Sequence, residues 1–167
     1  MHRAIQEFLK DWDFEAAATV RTLEALTDTS LAQRVAPKDR TLGRIAWHLV
    51  QTLPEMMGHA GLAVAGPAPD VGPPSSAGGI VEAYRAADAA FRKALSGAWT
   101  DAMLADDVNM YGQVWKRGTV LGALMAHQTH HRGQMTVLMR QAGLKPPGIY
   151  GPAREDWASM KMEPPAV

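Results

Sequence analysis

Residues 63–79, AVAGPAPDVGPPSSAGG, divide the chain and limit how its two halves can be arranged. They hold four of the eleven prolines and four of the fifteen glycines, so the segment cannot continue a helix and is too long for a hairpin. A structureless crossing of this length is unusual in a compact domain unless it spans a bundle or covers a site. It allows the helix before it and the helix after it to run parallel.

The flanking sequence is helical by periodicity. Ile5, Phe8, Leu9, Trp12, Ala16, Val20, Leu23 and Leu26 recur at three- and four-residue steps and predict a helix over residues 3–27. Leu42, Ile45, Leu49, Leu53 and Met56 predict a second over 41–62; Pro54 lies inside it, crowds the carbonyl of Val50, and predicts a kink or an early end. Ile80, Tyr84, Ala87, Phe91 and Leu95 mark a third over 79–97. Residues 99–118 read as an irregular connection with one short extended piece over 110–115, its aromatic residues sealing one end of the core or, as the less favoured reading, lining a pocket. A fourth helix runs from a cap at Thr119 to Gly143, ahead of Pro146 and Pro147. The tail turns twice and starts a short last helix at Pro152, with Arg154 read as a surface arginine rather than as a group binding an anionic substrate. One all-α domain over residues 1–167 is expected.

Three of the six histidines, His127, His130 and His131, fall within five positions of the fourth segment. At about 100° per residue, His127 and His131 point about 40° apart, and their mean direction coincides with Val120 and Leu138. Leu124, Met135 and Ala142 lie close to it, so both rings face inward from an apolar stripe. His130 points about 80° away and reads as a flanking residue. Two ring nitrogens at i and i+4, joined by a third from elsewhere, are a common way to hold a divalent transition metal. The competing reading is a pair of buried histidines satisfied by polar neighbours. That needs two separate sets of partners, where one ion serves both rings.

His48 is the candidate third ligand, at the margin of the second stripe, where periodicity alone favours a partly exposed, inert histidine. His59 is about 16 Å further along an unbroken helix and cannot share its ion. Glu55, about 10 Å away, reads as a solvated carboxylate that could ligate only if Pro54 bends the chain strongly. Gln51 and Thr52 lie one turn from His48, as surface polar residues or as groups orienting a bound water or substrate. Asp88 reads as a solvated or helix-paired carboxylate, or else as a partner to a ligand histidine. The pair also invites comparison with the H-E-x-x-H helix of zinc proteases, but Gln128 follows His127, and an amide cannot serve as general base. A peptidase of that type is not expected.

Composition narrows the chemistry. Cysteine is absent, so any metal is held by nitrogen and oxygen, and any reacting thiol arrives with a substrate. Seventeen basic residues balance seventeen acidic ones, which gives no basis for a nucleic-acid or membrane-surface partner. With no secretory-type apolar run at its start and no 18-residue apolar stretch, the chain is expected to be cytoplasmic.

Trp47-His48-Leu49 in the second helix, His127 and His131 followed by Arg132-Gly133-Gln134 in the fourth, and the Pro/Gly-rich crossing together resemble the DinB-like proteins. The resemblance covers most of the chain. It implies a four-helix bundle in up-down-down-up order, with a metal near one end bound by one histidine of the second helix and two of the fourth. Carried over, those ligands are His48, His127 and His131. It also implies zinc or nickel as the metal and a homodimer as a frequent assembly. The family name refers to damage-inducible expression and implies no contact with DNA; members include bacillithiol and mycothiol S-transferases and a thiol-dependent isomerase.

Three neutral imidazoles leave an ion's two charges uncompensated and at least one coordination position open. The expected function is a metal-dependent enzyme that activates a low-molecular-weight thiol or water for attack on a small electrophilic substrate. Two alternatives stand beside it: hydrolysis without a thiol, and a non-catalytic bundle that senses or sequesters a ligand, its coordination closed by a residue such as Glu55 or Asp88.

Overall fold

The computed structural model describes residues 2–166. Four helices carry the fold: α1 (Ile5–Glu24), α2 (Leu42–His59), α3 (Ala77–Ala98) and α4 (Arg117–Gln141). A two-stranded antiparallel hairpin, β1 (Asp107–Met110) and β2 (Gln113–Lys116), precedes α4. Each helix buries the stripe its sequence predicts. At the centre Phe8 stacks on Trp12, and Phe91 meets both edge-on, all three fully buried. Burial of such rings contributes about 1.5–3 kcal/mol each, enough to favour this face over any other orientation of α1 against α3.

Side-chain bonds fix the order of the bundle. Arg92 pairs with Asp13 and Arg85 with Glu24, so α1 and α3 are antiparallel. After α2 the chain turns back along that helix: Gly66 packs on Pro54, Gln51 Nε2 donates to Ala68 O at 2.9 Å, and Trp47 Nε1 donates to Val71 O at 2.7 Å. The crossing ends beside the loop that follows α1, where Ala77 N donates to Asp28 Oδ1 at 2.8 Å. Helices α2 and α3 therefore start at the same end and run parallel. Helix α4 starts at the other end, its Arg117 Nε donating to Ala60 O at 3.2 Å, and returns antiparallel to α2. The result is the expected all-α four-helix bundle in up-down-down-up order. No helix among the described residues is long and apolar enough to cross a membrane.

Several local expectations are corrected. Helix α2 neither stops at Pro54 nor reaches Leu62; it continues through the proline to His59. Leu53, Met56 and Met57 are buried around Pro54, and at about 1.5–3 kcal/mol each their burial outweighs the roughly 3 kcal/mol that an internal proline costs. The single extended piece over 110–115 is instead the turn and second strand of the hairpin. Its turn residues, Tyr111 and Gly112, have φ of 55° and 86°, the two-residue geometry whose sequence signature is Asn-Gly rather than Tyr-Gly. Helix α4 starts two residues before Thr119, because Arg117 N already donates to Asp106 O at 3.1 Å as β2 feeds into the helix. The tail forms turns over 154–161 and no helix at Pro152, since its backbone bonds mix three-, four- and five-residue steps. Arg154 is exposed and paired with Glu155, as a surface arginine.

Candidate metal centre

Helix α2 contributes His48, and α4 contributes His127 and His131 from adjacent turns of one face. His131 is 9% exposed, and the other two are half-buried. His127 Nε2 lies 3.2 Å from His48 Nε2 and 3.1 Å from His131 Nε2. In a tetrahedral zinc site, Zn–N bonds of about 2.0–2.1 Å place the ligand nitrogens about 3.3 Å apart. His127 Nε2 therefore stands from each of the other two rings at nearly the separation of one coordination sphere, and the three ligand atoms all lie within 4.8 Å of one another.

Hydrogen bonding within the triad cannot satisfy these contacts. His131 Nδ1 lies 2.7 Å from Gln134 Oε1, which can only accept, so the ring's proton is on Nδ1 and its Nε2 is a bare lone pair. His127 Nε2 can then donate to His131, but it has no lone pair left for His48. If it accepts from His48 instead, two lone pairs face each other at 3.1 Å. His127 Nδ1 is also buried without a partner among the described residues. A cation at the centre accepts all three Nε2 lone pairs at once, so the residues present fit a divalent ion.

Electrostatics agree with that reading. Burial, then the neighbouring rings, pushes the His48 and His127 imidazoles down to about 4. Burial also lowers His131, against the opposing effect of its bond to Gln134. The rings are therefore held neutral, the form that ligates metal. The Arg40 charge acts on all three, and that of Arg44 on His48.

The remaining sequence candidates lie elsewhere. His130 is exposed and bonded to Gln134 Nε2 at 3.0 Å, as a flanking residue. Both Glu55 oxygens accept the Tyr111 hydroxyl, at 2.8 and 2.9 Å, and His59 Nε2 lies 3.4 Å from the same carboxylate. Asp88 accepts from Trp12 Nε1 at 2.6 Å and from Arg92 one turn away, and it does not join the group formed by His48, His127 and His131. Trp115 packs partly buried against the core while Tyr111 is exposed, and with His48 and His127 both line a cavity of about 770 Å³. Thr52 lies on its wall, and Gln51 fastens the crossing over it through Ala68, Pro69 and Val71.

Sequence reasoning missed two buried polar residues of α4. Gln128, at the position of the protease glutamate, is fully buried; its Nε2 donates to Leu49 O at 3.1 Å and its Oε1 accepts from Tyr84. It ties α4 to α1, α2 and α3. Arg132 is buried against Glu15 of α1, with Thr19 Oγ1 at 2.9 Å and the Tyr150 hydroxyl at 2.6 Å. The Arg-Gly-Gln sequence thus joins two tasks: Arg132 locks α4 to α1 and the tail, and Gln134 sets the His131 tautomer. Nothing in the structure explains why residue 133 is glycine.

A bundle with one histidine from its second helix and two from its fourth, converging beside a cavity, defines a class of helical protein with a candidate metal centre. The chain belongs to the DinB family, whose sequence profile matches residues 1–165. It is 48% identical over 167 residues, the full length of both chains, to the uncharacterized protein YrdA of Bacillus subtilis strain 168. The 2.01 Å crystal structure of a DinB-like protein from Bacillus cereus ATCC 10987 superposes with a TM-score of 0.86 and 44% identity, covering 90% of this chain and 100% of that one.

Proposed function

We propose that the protein is a metal-dependent enzyme in which His48, His127 and His131 hold one divalent ion, zinc or nickel, and in which a low-molecular-weight thiol or water attacks a small electrophile. The observation that carries this reading is the convergence of three Nε2 atoms, 3.1–3.2 Å apart across His127, at the wall of a cavity of about 770 Å³. When bound, the ion supplies Lewis acidity that lowers the pKa of a thiol or water.

The chain's own groups do the rest. Gln134 holds the His131 proton away from the site. Pro54, Met56 and Trp115 give the cavity an apolar wall that limits competing water. Among the described residues Glu55 is the one carboxylate on that wall, and it accepts the Tyr111 hydroxyl. A sequestering bundle would call for a fourth protein ligand. Glu55 and Asp88 are both engaged elsewhere, which favours the open site.

Metal-loaded protein assayed with several thiols and electrophiles, beside a His48→Ala/His127→Ala/His131→Ala variant, tests the proposal. Turnover present only with intact histidines is expected. Rates equal to those of the triple variant would end it, and turnover independent of any thiol would assign hydrolysis by water.

A further inference from the structure

The cavity beside the histidines has an unbalanced charge. Arg40 and Arg44 both line it, and among the described residues neither has a carboxylate within ion-pair distance. By contrast Arg85, Arg92, Arg117, Arg132, Arg140 and Arg154 each pair with one. Arg3, Arg21 and Arg34 also lack a carboxylate, but they do not line this cavity. Arg44 is half-buried, and its Nη1 donates 2.7 Å to the neutral oxygen of Gln51, which leaves its charge uncompensated. Arg40 is exposed to solvent on one side, lines the histidine cavity on the other, and borders a second depression shared with His131. The only acid on the cavity wall among the described residues, Glu55, lies about 16 Å of helix rise from Arg44 and is already engaged.

We propose that Arg40 and Arg44 form an oxyanion site at the histidine end of the cavity, and that its ligand is a small molecule carrying a carboxylate. Guanidinium groups present planar, forked donors that match a carboxylate, and a partly enclosed setting strengthens the bond over its value in open water. Arg44 is one turn from His48, about 6 Å of rise, so a carboxylate held there lies only a few bonds from the part of the molecule that rests beside the three histidines. The remainder of the molecule rests on Pro54, Pro67 and Trp115. The inference rests on the reading of this cavity as the substrate site, but on neither the metal nor the reaction.

The test uses two matched pairs, butyrate against butyramide and 3-mercaptopropionate against 3-mercaptopropanamide. Each is titrated by calorimetry into metal-free and zinc-loaded protein and into the Arg40→Gln and Arg44→Lys variants. Arg40 makes no hydrogen bond in the fold among the described residues, so Arg40→Gln leaves the bundle intact; Arg44→Lys keeps the charge but loses the fork. Each carboxylate is expected to bind about tenfold more tightly than its amide, in the metal-free protein too, with the preference weakened by salt and lost in Arg40→Gln. If butyrate is preferred but the thiol adds nothing on zinc, the oxyanion site stands and thiol activation falls. Equal affinity within both pairs, a preference that survives Arg40→Gln, or no carboxylate binding at about 10 mM would each overturn the proposal.

Discussion

His131 gives its Nδ1 proton to Gln134 Oε1 across 2.7 Å, and this bond decides which nitrogen of the ring faces His48 and His127. Gln134→Leu removes the acceptor, together with the exposed bond between Gln134 Nε2 and His130. Metal affinity, measured by competition with a chromophoric chelator, is expected to fall about 10–100-fold with helix content unaltered. Unchanged affinity would mean that the tautomer is set by something other than this bond.

The depressed imidazoles give the metal-free protein a defined acid response. Folded values of about 4 for His48 and His127, set first by burial, stand below the unfolded value of 6.5. Protonation therefore favours the unfolded chain. The contribution of these rings is complete above pH 6.5 and is lost as pH falls from 6.5 toward about 4. Urea midpoints at pH 7 and pH 4.5 are expected to drop more steeply for the native sequence than for His48→Gln/His127→Gln. Metal binding follows the same sign: all three rings are lowered below 6.5, so proton competition sets in below that value and retention should change less between pH 7 and 6.5 than between pH 5.5 and 4.

The Glu15–Arg132 pair is a structural lock. Side-chain exposures of 10% and 3% leave little solvent to screen it, and the bonds from Tyr150 and Arg132 hold Glu15 below the usual carboxylate range against the opposing effect of burial. Glu15→Ala strands a buried guanidinium and is expected to cost about 3 kcal/mol in urea unfolding. The double change Glu15→Leu/Arg132→Met removes both charges and should recover most of it. If the single and double variants are equally unstable, the loss comes from packing.

Gln51 fastens the crossing by three acceptors, Ala68 O, Pro69 O and Val71 O at 2.9–3.2 Å. Gln51→Ala should speed hydrogen exchange at Ala68, Asp70 and Val71 while exchange in α1 and α3 stays slow, at a stability cost of about 1–2 kcal/mol. Uniform acceleration through the bundle would instead mark Gln51 as part of the global core.

Much of this arrangement is legible in the chain because apolar periodicity and the crossing constrain it directly. The directions of His127 and His131 follow from helical phase, and the length of residues 63–79 permits parallel α2 and α3. Periodicity alone left His48 at a stripe margin; the antiparallel packing of α2 on α4 brings it to the other two rings. Gln128 and Arg132 were unreadable because their partners, Leu49 and Glu15, are distant in sequence and lie on other helices. Their burial also mixes polar with apolar residues on the inner face of α4, which blurs its periodic signal. The hairpin escaped because Tyr111 occupies a turn position where Asn announces itself and Tyr does not.

The central claim is that three histidines share one ion. X-ray absorption at the metal edge, on protein dialysed against zinc or nickel and freed of excess, measures this directly. One ion per chain with three imidazole nitrogens at about 2.0–2.1 Å is predicted, and none in the His48→Ala/His127→Ala/His131→Ala variant. Protein that retains no ion, or a variant that retains it equally well, would contradict the account.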